Sequence, residues 1–341
     1  MQYGAMLFPS SPIQSELALA ATADELGYSH VWLGDSQLIW REAYVTLGAA
    51  ALRIRRAVLG PGVTNPATRD LSVTASAIAT LQELTGGRCV LGIGIGDSAL
   101  RTLGRKRTTV DTLETAIRGI RGLLAGAPLE RDGHQAHLAW AHKGPPVPIY
   151  AGMGTFGVRL MQMSARVADG CVVAGGVDEG YIDWVWAQLE RGAAEAGRDL
   201  QADDFQVVMA VGCAVNEDGE LARSWVKPAA ARKFVQAIPA DFAATLTPAE
   251  REAAERIRQE YDYYEHMRAG GKHESLVPDS LMSRFTIAGT PTECREQLRR
   301  LLQGWRGRVH QLAISLLSPT PEARETTLRL FMTEVVRRVD A

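Results

Sequence analysis

Two glycine-rich stretches and one carboxylate carry most of the chemical suggestion in this chain. In "PIYAGMGTFGVRLM" (148–161), Gly152, Gly154 and Gly157 stand in G-x-G-x-x-G spacing after an apolar run and before a helical pattern. Bare backbone amides at a helix start can hold a phosphate. "GIGIGDSA" (92–99) repeats the pattern with Gly94, Gly96 and Ala99, and adds Asp97 and Ser98. From the residue types alone, Asp97 is either a turn cap with Ser98 or a carboxylate facing a substrate. Arg101, Arg105, Lys106 and Arg107 follow directly, a basic run suited to an anionic ligand or to solvent. His134 and His137 form a pair without a third ligand, so no metal site is expected.

The elements that must position these residues alternate. Apolar runs at "YGAMLFP", "HVWLGD", "AVLGPGV", "CVLGIGIG", "VPIYAGMG", "DGCVVAGG", "FQVVMAVGCAV" and "VHQLAISLLS" are each followed by a helical stretch. Eight such units predict parallel strands with right-handed helical crossovers, and a closed (β/α)₈ TIM barrel is the simplest architecture for them. A dinucleotide fold would place its fingerprint in the first unit; here four units precede Gly152 with no boundary. The chain therefore reads as a single barrel domain over 1–341. The stretch 216–283, rich in Ala, Glu, Arg and Tyr, breaks the rhythm and reads as a helical insertion before the last strand. "RDGHQAHLAW" reads as a small β excursion before the fifth strand.

All barrel strands end on one rim, and the rim is rich in glycine: Gly34 beside Asp35, Gly60 and Gly62, Gly92, Gly94 and Gly96, Gly152 and Gly154, Gly175 and Gly176. Five such clusters point to a ligand approached closely by backbone, Gly175 and Gly176 included. A formal charge of −2 leaves no electrostatic footprint for nucleic acid, and no apolar run is long enough for a membrane span. A small-molecule partner is expected. The start "MQYGAMLFPSSPIQSE" does not read as a signal peptide, and Cys89, Cys171, Cys213 and Cys294 stand far apart as buried small hydrophobes would, so a cytoplasmic location is expected.

The segment "AVLGPGVTNPATRDLSVTASAIATLQELTGGRCVLGIGIGDSALRTLGR" (57–105), with "YVTL" at 44–47, "PIYAGMGTFGVRLM" and "FTIAGTPTECREQL", resembles the bacterial luciferase-like superfamily of flavin- and F420-dependent oxidoreductases. Within it the motifs are most similar to the methylenetetrahydromethanopterin reductase group, which uses the deazaflavin F420. The resemblance implies a (β/α)₈ barrel with an insertion near the seventh strand. It also implies hydride transfer between F420 and an electrophilic carbon, C=N or C=C, of a small organic substrate.

By position it assigns coenzyme contacts to Asp35, to Gly62, Val63 and Thr64 of "PGVTNP", with a cis peptide between Gly62 and Val63, and to Gly94, Ile95, Gly96 and Ser98. It adds Gly152 and Met153 as coenzyme contacts and Gly154, Thr155 and Phe156 as the phosphate turn, and gives Asp97 to the substrate, as proton source or as the stabiliser of an iminium cation. Met6 stands where the reductases have a glutamate, so Met6 and Phe8 are expected as an apolar pocket floor. Ser36 stands where many members have histidine. Tyr181 and Trp184 are expected in packing. The alternatives are an FMN-dependent two-component monooxygenase served by a flavin reductase, and a non-catalytic homologue. A homodimer through the helices after strands two and three, 70–85 included, is the family's usual assembly.

Overall fold

The apolar runs become short strands because a strand buried on both faces needs only four or five consecutive hydrophobic or small residues. In chain order the strands of the computed structural model are β1 (Gln2–Leu7), β2 (His30–Leu33), β3 (Val58–Pro61), β4 (Leu91–Gly94), β5 (Leu129–Arg131), β6 (His134–Ala136), β7 (Ile149–Met153), β8 (Gly170–Val173), β9 (Gln206–Val215), β10 (Thr286–Gly289) and β11 (Gln311–Leu316). The helices are α1 (Ile13–Leu26), α2 (Ala43–Ala51), α3 (Leu71–Leu84), α4 (Ser98–Arg101), α5 (Val110–Leu124), α6 (Val158–Val167), α7 (Glu179–Glu195), α8 (Gly219–Lys233), α9 (Ala240–Ala243), α10 (Pro248–Glu260), α11 (Asp279–Ser283), α12 (Pro291–Trp305) and α13 (Pro321–Leu330). The structure describes residues 1–140, 145–154, 157–235, 238–261, 275–305 and 307–340.

The parallel strands run in the order β3, β2, β1, β11, β9, β8, β7, β4. Bridges between Leu59 and Cys89 and between Thr64 and Ile93 close the ring from β3 to β4. Here the chains approach so closely that a side chain on Gly60 would strike the Val90 carbonyl. β5 and β6 form the expected antiparallel excursion. One strand was not expected: β10 pairs Thr286–Gly289 with Gly212–Val215 of β9, on the edge that β8 leaves beyond Met209. Among the described residues, helices α8 to α11 lie between β9 and β10.

Strand residues divide by direction into two apolar layers. Ala5, Leu7, Val31 and Leu33 join the layer beneath the helices, whereas Met6, Trp32, Tyr150, Val172, Val208 and Ala313 fill the barrel. The Trp32 indole N–H donates to Gln311 Oε1 at 2.8 Å, and the other end of the same amide meets His30 Nδ1 at 2.6 Å. Since an indole nitrogen can only donate, the amide nitrogen of Gln311 faces His30, which must accept as a neutral imidazole. Outside the barrel, Arg324 of α13 and Glu16 of α1 form a buried ion pair at 3.1 Å that joins the last helix to the first. No described helix is long and apolar enough to cross a membrane. All four cysteines are buried and free.

Candidate active site

A cavity of about 210 Å³ opens at the carboxyl rim. Its lower wall is apolar, from Met6 and Val172 to Ala174 and Ala210, and Phe8 packs against Trp40 with ring centroids 4.9 Å apart at one side. Val63 projects at the back. Its side chain occupies space that β-carbons on Gly94 and Gly152 would need, at 3.0 and 2.5 Å respectively. Those glycines are thus required by Val63, and together they leave a smooth apolar face bordered by backbone. Gly96 has φ +69°, a left-handed conformation that favours glycine, and directs the chain into Asp97.

The bulge after β3 is fixed by hydrogen bonds. Thr64 N–H donates to the Gly92 carbonyl at 2.9 Å, and Gly94 N–H donates to the Thr64 carbonyl at 2.8 Å. The Gly62–Val63 peptide is cis, as the resemblance implies. The Thr64 hydroxyl donates to Asp35 Oδ2 at 2.7 Å, and Arg69 donates to the same oxygen at 2.8 Å. Arg69 in turn bonds Glu42 and lies over the Tyr44 ring, 4.4 Å from its centroid. Asp35 is therefore engaged in holding the bulge.

Asp97 precedes α4 without any side-chain cap bond, which removes the turn-cap reading. Its carboxylate meets Arg101 Nε at 2.8 Å, Arg232 at 3.0 Å and Arg107 at 3.9 Å. Burial alone would push this carboxyl up, but Arg232, Arg101 and Arg107 outweigh it and hold it below the ordinary aspartate range. Asp97 is an anion at neutral pH, so the sequence-based expectation of a proton source is corrected. Three guanidinium groups surround one carboxylate, which also makes the site a poor host for an iminium cation. Ser98 is joined to Ser36 through their hydroxyls at 2.7 Å.

Beyond Asp97 the cavity continues into a wider groove lined by Arg101, Arg105, Lys106, Arg107 and Arg159, the last near Asp111 at 3.6 Å. Ile95, Gly154 and Arg107 belong to both spaces. An apolar slot and a cationic groove thus adjoin.

Most residues expected at the site converge: Met6, Phe8, Asp35, Gly62, Val63, Thr64, Gly94, Ile95, Gly96, Asp97, Ser98, Gly152 and Gly154 all line the cavity. Met153 lies in β7, while Thr155 and Phe156 fall outside the described residues. Gly175 and Gly176 are a correction. Both are buried behind the rim against the Tyr181 ring, which fills the space of their missing β-carbons, so packing accounts for these glycines. Tyr181 itself packs with Trp184, Phe242 and Phe285.

Sequence reasoning missed Trp40, Asn65, Ser315, Arg232 and Lys233. The last two come from α8, at the start of the insertion. Their only sequence signal is a basic pair ending an alanine-rich helix, which ordinarily reads as a solvated terminus.

A parallel barrel with its cavity at the carboxyl rim and a bulge after β3 is a TIM barrel with its pocket where such enzymes carry their active sites. The luciferase-like monooxygenase family model matches residues 1–308, and the chain belongs to that family. Among curated relatives, the 5,10-methylenetetrahydromethanopterin reductase of Methanolobus tindarius is 30% identical over 98% of this chain and 100% of its own length. An F420-dependent glucose-6-phosphate dehydrogenase of Nakamurella multipartita is 31% identical over 61% of this chain and 66% of its own. Among solved structures, the coenzyme F420-dependent tetrahydromethanopterin reductase of Methanopyrus kandleri has the same fold, with TM-score 0.79 at 24% identity and 99% of each chain covered.

Proposed function

We propose that this chain is an F420-dependent oxidoreductase that transfers a hydride between the deazaflavin and an electrophilic carbon, C=N or C=C, of a small organic substrate. One observation carries the reading: the apolar slot over Val63, Gly94 and Gly152 adjoins the groove of Arg101, Arg105, Lys106 and Arg107, with Ile95, Asp97, Arg107 and Gly154 lining both. The slot fits a flat conjugated ring, and the groove fits an extended polyanionic tail. Asp97 already pairs Arg101 and Arg107, and FMN, which ends in a single phosphate, offers less charge to Arg105 and Lys106 than a polyanionic tail does. The F420 dependence of the Nakamurella multipartita relative supports the same choice.

In this reading the coenzyme, when bound, supplies the hydride chemistry, and the chain supplies position and exclusion of water. Val63 backs the ring, Gly94 and Gly152 admit it, and the Asp35, Thr64 and Arg69 chain keeps the bulge in place. Gly154, just after β7, would meet the coenzyme phosphate, and Met6, Phe8 and Trp40 would form the dry wall on the substrate side. Asp97 holds Arg232 and Arg101 at the junction of slot and groove.

Fluorescence titration of the purified protein with F420 and with FMN tests this. F420 is expected to bind at least 10-fold more tightly. Preference for FMN would replace the reading with a monooxygenase served by a flavin reductase, and binding of neither would leave a non-catalytic homologue.

We also propose a homodimer. Leu38, Val45, Leu52, Val73 and Leu84, on or beside α2 and α3, are exposed apolar side chains on the face the resemblance assigns to dimer contact.

A further inference from the structure

Lys233 is the last residue of α8; it lines the cavity, yet only 7% of the residue is exposed. Among the described residues its amine has no hydrogen-bond or ion-pair partner. A buried lysine without a carboxylate is unusual, because an ammonium taken out of water normally requires a counter-charge. The chain has five lysines in 341 residues, and one of them is spent here.

The other polar groups around the cavity are committed elsewhere. Asp97 is held ionised by Arg232, Arg101 and Arg107. Asp35 accepts from Thr64 and Arg69, Ser36 and Ser98 bond each other, and Ser315 donates to the Met6 sulfur at 3.6 Å. Among the described residues no histidine lines the space.

Resting on the F420 reading, we infer that Lys233 exchanges the substrate's proton, and that the acceptor is a neutral polarised double bond whose reduction needs a proton as well as a hydride. In the reducing direction the electrophilic carbon accepts a hydride, two electrons and one hydrogen nucleus, from C5 of the reduced coenzyme. The double bond's electron pair moves onto its far atom, or onto the conjugated heteroatom, and that atom takes a proton from the Lys233 ammonium. Substrate is reduced by two electrons, coenzyme is oxidised by two, and the neutral amine regains its proton from water. In the oxidising direction the amine takes the proton.

The electrostatics agree with this role. Burial, with Arg232 alongside, brings the Lys233 amine down to about 7, where both of its forms are populated. The elements packed against α8 are β9, β10 and α11. They carry Cys213, no titratable group and Asp279 respectively, while Asp35, Asp97, Arg107 and Arg232 stand around the cavity; among all these, Arg232 alone bears on the amine.

Competitive labelling of the native protein with acetic anhydride across pH 5–10, read lysine by lysine by mass spectrometry, tests the ionisation without any substrate. Lys233 is expected to reach half-maximal reactivity near pH 7, well below the ordinary lysine value of about 10.4. Lys233→Gln and Lys233→Arg are expected to keep F420 affinity within about 3-fold. Both are expected to lose 100-fold or more in the oxidation of reduced F420 by a panel of cyclic enones and imines.

Half-maximal labelling of Lys233 together with the other lysines overturns the inference, as does full turnover in Lys233→Arg or a 100-fold loss of F420 affinity in Lys233→Gln. A wild-type protein that binds F420 but reduces none of the panel overturns the substrate class. Failure of the wild type to bind F420 at all strikes instead at the functional reading.

Discussion

Val63 is held by what its neighbours lack. Its methyl groups lie where a β-carbon on Gly152 would stand, 2.5 Å from the nearer one, so Gly152→Ala must displace either β7 or Val63. Overpacking of this kind costs about 1–3 kcal/mol. We expect the unfolding midpoint in urea to fall accordingly and the folded variant to bind F420 5- to 100-fold more weakly; unchanged affinity would mean that Val63 does not back the ring. Asp97 makes a complementary case. Asp97→Asn removes the charge that gathers Arg101 and Arg232, so turnover should fall at least 10-fold while F420, itself anionic, binds no less tightly. Weakened F420 binding, measured by the same fluorescence titration, would move Asp97 to the coenzyme side. Glycine spacing and an aspartate at a strand end were legible because few other roles require those types there. Lys233 was not legible, since nothing in "AAARKF" distinguishes a buried lysine from a solvated one until the fold places it.

At the scale of elements, the eight barrel strands could be read because each is an apolar run followed by a helix. β10 could not, since "TIAG" is four residues long and follows an insertion rather than a helix of the regular repeat. Gly175 and Gly176 misled for a related reason: a rim glycine that makes room for Tyr181 has the same sequence signature as one that makes room for a ligand. Connections between elements are fixed by single polar residues. Asp24, near the end of α1, accepts backbone N–H bonds from Arg55, Arg56 and Ala57 at 3.0, 2.9 and 2.7 Å and so anchors the approach to β3. Asp24→Ala should cost about 3 kcal/mol, because it leaves inward-facing donors without an acceptor. Burial raises this carboxyl, but the three backbone bonds and Arg56 prevail and hold it below the ordinary aspartate value. Its contribution is therefore complete above the unfolded-state pKa and is lost as pH falls through the lower folded value. Urea unfolding at pH 7 and pH 3 checks both points: the variant should be less stable at pH 7, and the gap should narrow at pH 3.

For the whole molecule, two properties follow from surfaces and from the interior. Val45 and Val73 are 73% and 53% exposed on α2 and α3, and a monomer gains nothing by presenting them to water. Val45→Asp with Val73→Asp should convert a dimer to a monomer in light scattering without changing the circular dichroism; a wild type that is already monomeric would sink the assembly. The interior sets an acid limit. His30 accepts from Gln311 inside the barrel, where a charged imidazole would lose that bond, and burial lowers its pKa to about 4 from 6.5. Between those values the unfolded chain binds a proton that the folded chain refuses, so stability must fall as pH falls from about 6.5 towards 4. The slope approaches about 1.4 kcal/mol per pH unit, hence about 2 kcal/mol between pH 6.5 and 5. His30→Gln cannot take up the proton, so its stability should decline less over the same interval by about that amount. Equal declines in the two proteins, measured by urea unfolding, would show that His30 takes up its proton as readily in the folded barrel as in the unfolded chain.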